Sequence, residues 1–185
     1  MIFVLTGQTS SGKTTMAKEM EEMTGFKRQV NYTTRPPREG EVDGIDYNFV
    51  SEKEINELDL IARNEFNTAF GKWIYGVNVA DFEGHENTIV VLEASGALEM
   101  KERFGDKVKI VYIHASESLR RERAYARDGE KNAAEIERRI ESDAQDFLDF
   151  YKHVDEFVVN HDKTLAHMRL LGYVVENSEC ERCGY

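Results

Sequence analysis

The sequence predicts an α/β fold built on a parallel sheet, and three observations lead there. Short apolar runs suited to buried strands recur along the chain, beginning with Ile2-Phe3-Val4-Leu5. Helical patterns separate them, and alternation of this kind implies a parallel sheet flanked by helices. The first run leads directly into Gly7-Gln8-Thr9-Ser10-Ser11-Gly12-Lys13-Thr14, which fits G-x-x-x-x-G-K-[ST], the phosphate-binding P-loop. A helical pattern through Met16, Ala17 and Met20 follows at once, so the motif has the strand–loop–helix setting its chemistry requires. The glycines let backbone N–H groups turn inward on a phosphate, Lys13 adds a mobile positive charge, and the Thr14 hydroxyl can hold Mg²⁺.

Each element follows in order. The strand at 2–6 and a helix at 14–23 that stops before Gly25 open the chain. A short strand is expected at 29–33. Arg35-Pro36-Pro37-Arg38-Glu39-Gly40 can be neither helix nor central strand, so it is an ordered loop carrying two arginines three apart. Strands are expected at 46–50 and 73–79, with a helix at 51–63 between them, and this block reads as an inserted subdomain. Then come a buried strand at 88–92, a helix at 96–104 stopped by Gly105, and a β-branched strand at 108–113. Ser116 is placed to cap a helix running towards Arg127. Asn132 and Glu135 have the spacing of a capping box, opening a helix with Ile136, Ile140, Ala144 and Phe147 on one face. A strand at 157–159 and a helix at 164–171 complete the pattern.

Bulk properties narrow the function. The 185 residues suffice for one compact domain with a sizeable core. The net charge of −11 argues against a nucleic-acid partner, although basic residues can still converge locally. No apolar stretch reaches the ~18 residues of a membrane span. The first strand starts beside Met1 and leaves no room for a signal peptide, so a cytoplasmic location is expected. Cysteine occurs only as Cys180 and Cys183, which make one C-x-x-C. That is half a zinc-ribbon ligand set, and it also fits a tail with two free thiols.

Residues 33–50 narrow the reading to a family. The run Thr33-Thr34-Arg35-Pro36-Pro37-Arg38-Glu39-Gly40-Glu41-Val42-Asp43-Gly44-Ile45-Asp46-Tyr47-Asn48-Phe49-Val50 closely resembles the guanylate kinase signature T-T-R-x-P-R-x-G-E-x-x-G-x-D-Y-x-F-V. The resemblance continues through Gly71, Tyr75-Gly76, Ser95-Gly96-Ala97-Leu98 and Val159-Asn160-His161-Asp162, and covers roughly residues 1–170. It implies a P-loop core with a five-stranded parallel sheet (1–31, 84–118 and 141–170), a nucleoside-monophosphate subdomain (32–83), a helical lid (119–140) and a tail (171–185). ATP would lie on Gly7, Ser10, Ser11, Gly12, Lys13, Thr14, Thr15 and Asn160, with Mg²⁺ on Thr14. The acceptor would meet Asn31, Arg35, Arg38, Tyr47, Thr68, Tyr75 and Glu93. The elementary chemistry agrees, because a phosphate dianion suits forked guanidinium donors. Lys13, Arg35, Arg123, Arg127 and Arg139 would carry catalysis, with the lid arginines reaching the site only on closure. The interval from Arg127 to Arg139 is one residue longer than the family's, which leaves Arg138 as an alternative to Arg139. Arg120, Arg121 and Arg138 otherwise read as a charged helix surface.

The departures from the family fall on base recognition. Asn31 stands where a small hydroxyl residue is usual, and Asn67-Thr68 follow Glu65-Phe66 where a second Glu is usual. Val77 replaces a hydroxyl residue, and Val91 replaces the first carboxylate of a D-x-D strand end that keeps only Glu93. The sequence therefore implies a kinase that converts GMP or dGMP with ATP, as a monomer or homodimer with no nucleic-acid or membrane partner. The alternatives are a same-fold kinase acting on another purine, a modified nucleotide or ribose bisphosphate, and a non-catalytic module that binds phosphorylated peptides. The intact P-loop speaks against the last.

Overall fold

The computed structural model describes residues 1–38, 40–68, 71–84 and 87–178. A fully parallel five-stranded sheet forms its centre, in the order β2-β7-β1-β8-β9. These strands are β1 (Ile2–Thr6), β2 (Lys27–Arg28), β7 (Thr88–Val91), β8 (Val108–His114) and β9 (Glu156–Val159). Alternation along β1 divides the core into two layers. Phe3 and Leu5 pack with Met16, Ala17 and Met20 of α1 (Lys13–Thr24) and with Ala166, Leu170 and Val174 of α6 (Lys163–Glu176). Ile2 and Val4 face the other way, towards Ala97 and Met100 of α3 (Ala94–Phe104) and towards Phe147 and Phe150. This alternation puts the carboxyl ends of β1, β7, β8 and β9 along one edge, where the P-loop emerges.

A smaller sheet, in the order β4-β3-β6-β5, joins β3 (Tyr32–Thr33), β4 (Asn48–Phe49), β5 (Leu60–Thr68) and β6 (Gly71–Asn78). Three expectations are corrected here. The strand foreseen at 29–33 is only β3, because Gln29 leaves the core sheet after its N–H bonds the Ile89 carbonyl at 2.7 Å. The helix foreseen at 51–63 shrinks to α2 (Glu52–Asn56), and the chain turns into β5, which pairs antiparallel with β6. A β-bulge between Ile61 and Asn64 breaks the alternation of β5, which hides the strand in the sequence. Ala62 at that bulge takes φ 56°, and its N–H donates to Glu99 Oε2 of α3 at 2.8 Å.

Two further helices pack side by side, α4 (Glu117–Asp128) and α5 (Ala133–Asp146), around Ala124, Ile136 and Ile140. Ser116 caps α4 as foreseen, accepting from the Leu119 N–H at 3.4 Å. The box foreseen at Asn132 and Glu135 does not form. The Asn132 amide donates back to the Asp128 carbonyl at 2.6 Å, and the Glu135 carboxylate is taken by Arg138 and Arg139. On α5 the buried positions are Ile136, Ile140 and Asp143, continued by Phe147, while Ala144 is exposed. The tail foreseen from 171 begins inside α6, which runs to Glu176 because Leu170 and Val174 extend its buried stripe. Cys180 and Cys183 lie outside the described residues, among which no helix is long and apolar enough to cross a membrane.

The contact between α3 and the bulge gives a test of this architecture. Gly96 is buried with no room for a side chain, since a Cβ there would collide with the Ala62 methyl. Gly96→Ala should cost about 1–3 kcal/mol by overpacking. At about 2–4 °C per kcal/mol for a chain of this size, that is several degrees off the melting temperature. An unchanged melting temperature would show that α3 does not press on β5.

Candidate active site

The P-loop leaves β1 at Gly7 (φ 141°) and enters α1 through Gly12 (φ 102°), both in the left-handed half of φ that favours glycine. Side chains would also clash at both positions, with the Ile113 carbonyl at Gly7 and the Asn160 amide at Gly12. The loop is gripped at two points. At Ser11 the carbonyl accepts from Asn160 Nδ2 at 2.8 Å and from Arg123 Nη1 at 3.3 Å. Arg123 Nη2 also donates to the Asn160 carbonyl at 3.1 Å. At Thr9 the N–H donates to Asp143 Oδ2 at 2.7 Å and the hydroxyl to Asp143 Oδ1 at 3.3 Å. Lys13 Nζ folds over the loop onto the Gly7 carbonyl at 2.5 Å and the Gln8 carbonyl at 3.2 Å. The Thr14 and Thr15 side chains at the start of α1 are exposed. Ser10 holds φ 61°, and its hydroxyl is buried without a partner among the described residues.

The foreseen acceptor groups lie on the smaller sheet and its loops. Arg35 follows β3 and is buried, donating to Glu41 Oε1 at 2.9 Å and to the Pro36 carbonyl at 2.7 Å. Its guanidinium lies 5.3 Å from the Tyr47 ring centroid and 5.7 Å from that of Phe49. Arg38 is exposed, and its N–H donates to Glu41 Oε2 at 2.7 Å. Glu41 thus orders the arginine loop from within, a role the sequence reading did not assign. Tyr47 and Tyr75 meet edge-on at 6.0 Å. Burial raises the Tyr47 phenol above its ordinary value, so at neutral pH it keeps the proton it would donate to a phosphate.

The helix pair α4 and α5 brings further arginines. Arg127 is exposed and held by Asp128, with Nε to Oδ1 at 2.9 Å and Nη2 to Oδ2 at 2.7 Å. That hydrogen bonding lowers the Asp128 pKa most, and the charges of Arg139 and Arg38 lower it further. Asp128 therefore stands in a field shared by the helix pair and the Arg35–Arg38 loop. Arg138 is more exposed than Arg139, and Glu135 binds both at 2.7 Å. Two expectations fail in this region. Arg120 is buried at 3% exposure against Asp143, not on a charged surface, and Arg123 already touches the P-loop without any closure. Asp143 was missed altogether. Its signal was a carboxylate in the apolar stripe of α5, four residues before Phe147 and three after Ile140. Burial raises the Asp143 pKa against the Thr9 N–H, Lys13 and Arg120, and Glu93 adds to the rise.

Asn31 and Glu93, foreseen to meet the acceptor, both lie at the carboxyl end of β7. Asn31 donates its amide to the Val91 carbonyl at 3.3 Å. Val77 is fully buried in the core, and the Thr68 side chain lies outside the described residues. Glu65 pairs with Arg63 at 2.9 Å and Lys72 at 2.5 Å. Glu93 is exposed at the carboxyl end of β7. No cluster of three or more His, Cys, Asp or Glu side chains able to hold a metal occurs among the described residues. The exposed Thr14 hydroxyl at the start of α1 is an oxygen donor of the kind Mg²⁺ accepts when phosphates and water complete its shell, so that position fits the ion.

Comparison with known proteins agrees with this layout. The sequence profile described as guanylate kinase matches residues 1–171. The guanylate kinase of Legionella pneumophila (strain Lens) is 30% identical over 182 residues, covering 95% of this chain and 86% of that one. That of Clostridioides difficile (strain 630) is 33% identical over 174 residues, covering 90% and 83%. Among solved structures, the guanylate kinase from Anaplasma phagocytophilum superimposes with a TM-score of 0.69 at 23% identity, covering 97% of this chain and 87% of that one, which shows the fold.

The ion pairs of α5 predict a pH response. Hydrogen bonding from Arg138, joined by Arg139, lowers the Glu135 carboxyl from 4.5 to about 2. A pKa depressed by folding adds stability above the unfolded value, and that stability is lost as pH falls towards the folded one. The Glu135 carboxyl resonance should titrate with a midpoint near 2. A midpoint at the ordinary value would mean that both arginines swing free of it.

Proposed function

The chain belongs to the guanylate kinase family, and from that membership we propose that it transfers the γ-phosphate of ATP to GMP or dGMP, giving ADP and GDP or dGDP. The observation that supports this most is the P-loop, which turns through Gly7 and Gly12 into α1 with Lys13 folded over it and with Asn160 and Arg123 gripping it at Ser11.

In this reading the division of the chain is functional. Residues 1–31, 84–118 and 141–170 form the ATP-binding core, 32–83 the acceptor subdomain and 119–140 the lid. Gly7, Ser10, Ser11, Gly12, Lys13, Thr14 and Thr15 receive the ATP phosphates, and Asn160 with Arg123 holds the loop beneath them. Arg35, Arg38, Tyr47 and Tyr75 orient the acceptor phosphate. One of its oxygens attacks the γ-phosphorus in line as the bond to the bridging oxygen of ADP breaks. Lys13, Arg127 and Arg139 then stabilise the charge on the transferring group. Mg²⁺, held by Thr14 together with the nucleotide, would neutralise phosphate charge, and Asn31 and Glu93 would meet the acceptor. A cytoplasmic monomer or homodimer with no nucleic-acid partner fits the acidic chain.

One observation favours a broader acceptor range. Val77 is sealed in the core and the Asn31 amide is engaged with Val91, so fewer polar groups remain to read guanine. Sites built to pair a substrate's polar groups reject wrong partners by ~10⁴-fold, and sites lacking them discriminate less.

Three measurements check these claims. Lys13→Ala should cost about 10²-fold or more in turnover, and a loss under threefold would remove Lys13 from catalysis. Arg38→Ala should weaken every monophosphate alike, because it meets phosphate and not base; a loss confined to one base would contradict that. Arg35→Ala is the poorer probe, since it strips Glu41 of its partner as well. Comparing kcat/KM for GMP, dGMP, AMP and IMP should reveal use of a second purine monophosphate, and a preference for GMP over AMP beyond ~10⁴-fold would refute the loose site.

A further inference from the structure

Asp143 and Arg120 have no part in the scheme above, yet both are buried against the P-loop, at 6% and 3% exposure. Buried charges are costly unless paired and hydrogen-bonded, so their position requires an explanation. Both oxygens of Asp143 are spent on one residue, Thr9, through its N–H at 2.7 Å and its hydroxyl at 3.3 Å. Arg120 Nη1 bonds the same carboxylate at 3.2 Å and reaches the Thr9 carbonyl at 3.5 Å. Every polar group of Thr9 is thereby engaged from outside the loop. Thr9 lies just before the Ser10–Lys13 turn that meets a phosphate in the kinase reading, where the Ser11 N–H bonds the Gln8 carbonyl at 3.2 Å. Three residues beyond Arg120 on the same helix, Arg123 grips the loop again at Ser11.

We propose that Asp143 and Arg120 together are positioning residues that fix Thr9 and so tie the P-loop to the helix pair carrying Arg127 and Arg139. Resting on the kinase reading, the proposal gives that pair a second task. The base of the lid is registered on the loop that holds the ATP phosphates, so the lid arginines meet the γ-phosphate at a set height. Neither residue touches the reacting atoms. A pair that served folding alone could be replaced by apolar side chains of similar volume without loss of function, as buried ion pairs often can be.

The test compares the parent with Asp143→Asn and with the double variant Arg120→Met/Asp143→Leu, which removes both charges at once. MgATP affinity is read by calorimetry without acceptor, and kcat and KM for GMP are read in a coupled assay. The double variant should keep a melting temperature near the parent's while kcat falls by about 10²-fold, the scale of a misplacement near 1 Å. MgATP affinity should weaken roughly 10-fold, which is about 1.4 kcal/mol. KM for GMP should change less than threefold, because the acceptor groups lie on the other sheet. Asp143→Asn keeps an acceptor for the Thr9 N–H but loses the charge pair, and should fall between the two. Parent-like kcat and MgATP affinity in either folded variant would overturn the proposal and leave the pair a structural one. Should the parent phosphorylate no monophosphate, the kinase reading fails by itself, and the MgATP affinities still decide the role of Asp143.

Discussion

The structure depends on holding the Gly7–Thr14 backbone in shape. Within the loop only the Ser11 N–H on the Gln8 carbonyl at 3.2 Å and the Lys13 ammonium on the Gly7 and Gln8 carbonyls contribute among the described bonds, so side chains from outside hold the rest. Asn160 and Arg123 donate to the Ser11 carbonyl, and at Thr9 Arg120 donates to the carbonyl while Asp143 accepts from the N–H. These side chains come from α4, α5 and the turn after β9. The loop is thus a meeting point of the sheet and both lid helices. Gly7 and Gly12 are required for the same reason, since a side chain at either would collide with the Ile113 carbonyl or the Asn160 amide.

A second constraint is charge. A site for two nucleotides needs many cations in a small volume, and the chain carries a net charge of −11 overall. Three arginines of the Arg35–Arg38 loop and the helix pair are each kept company by a carboxylate: Arg35 by Glu41, Arg127 by Asp128, Arg139 by Glu135. Such pairs, partly exposed, contribute little to stability. Their effect is to orient the guanidinium forks and limit their mutual repulsion.

The sequence disclosed what depends on short-range pattern. Four of the five core strands, the P-loop and the arginine loop could be read because apolar runs, fixed glycines and paired prolines report local conformation directly, whereas the two-residue β2 leaves no such pattern. The α2 and β5 region could not, because the bulge at Ala62 breaks the period-two alternation that marks a strand. Arg120 and Asp143 went unread for a different reason. Their burial is set by a contact between residues 134 positions apart, from Thr9 to Asp143, and nothing local to Arg120 distinguishes it from the exposed arginines around it. Asp143 did leave a trace, a carboxylate on the face shared by Ile140 and Phe147, which was assigned to Ala144 instead. The capping box foreseen at Asn132 failed because Arg138 and Arg139 compete for the Glu135 carboxylate, a preference that spacing alone does not reveal.

The central claim is that the P-loop is held ready for phosphate before any nucleotide arrives, by side chains outside it. Backbone ¹⁵N relaxation of residues 7–14, measured with and without MgATP, tests this most directly. Order parameters near those of rigid backbone, about 0.85, are expected in the nucleotide-free protein, with little change on binding. Values below about 0.6 that rise only when MgATP is added would contradict the account, because the nucleotide would then be shaping the loop.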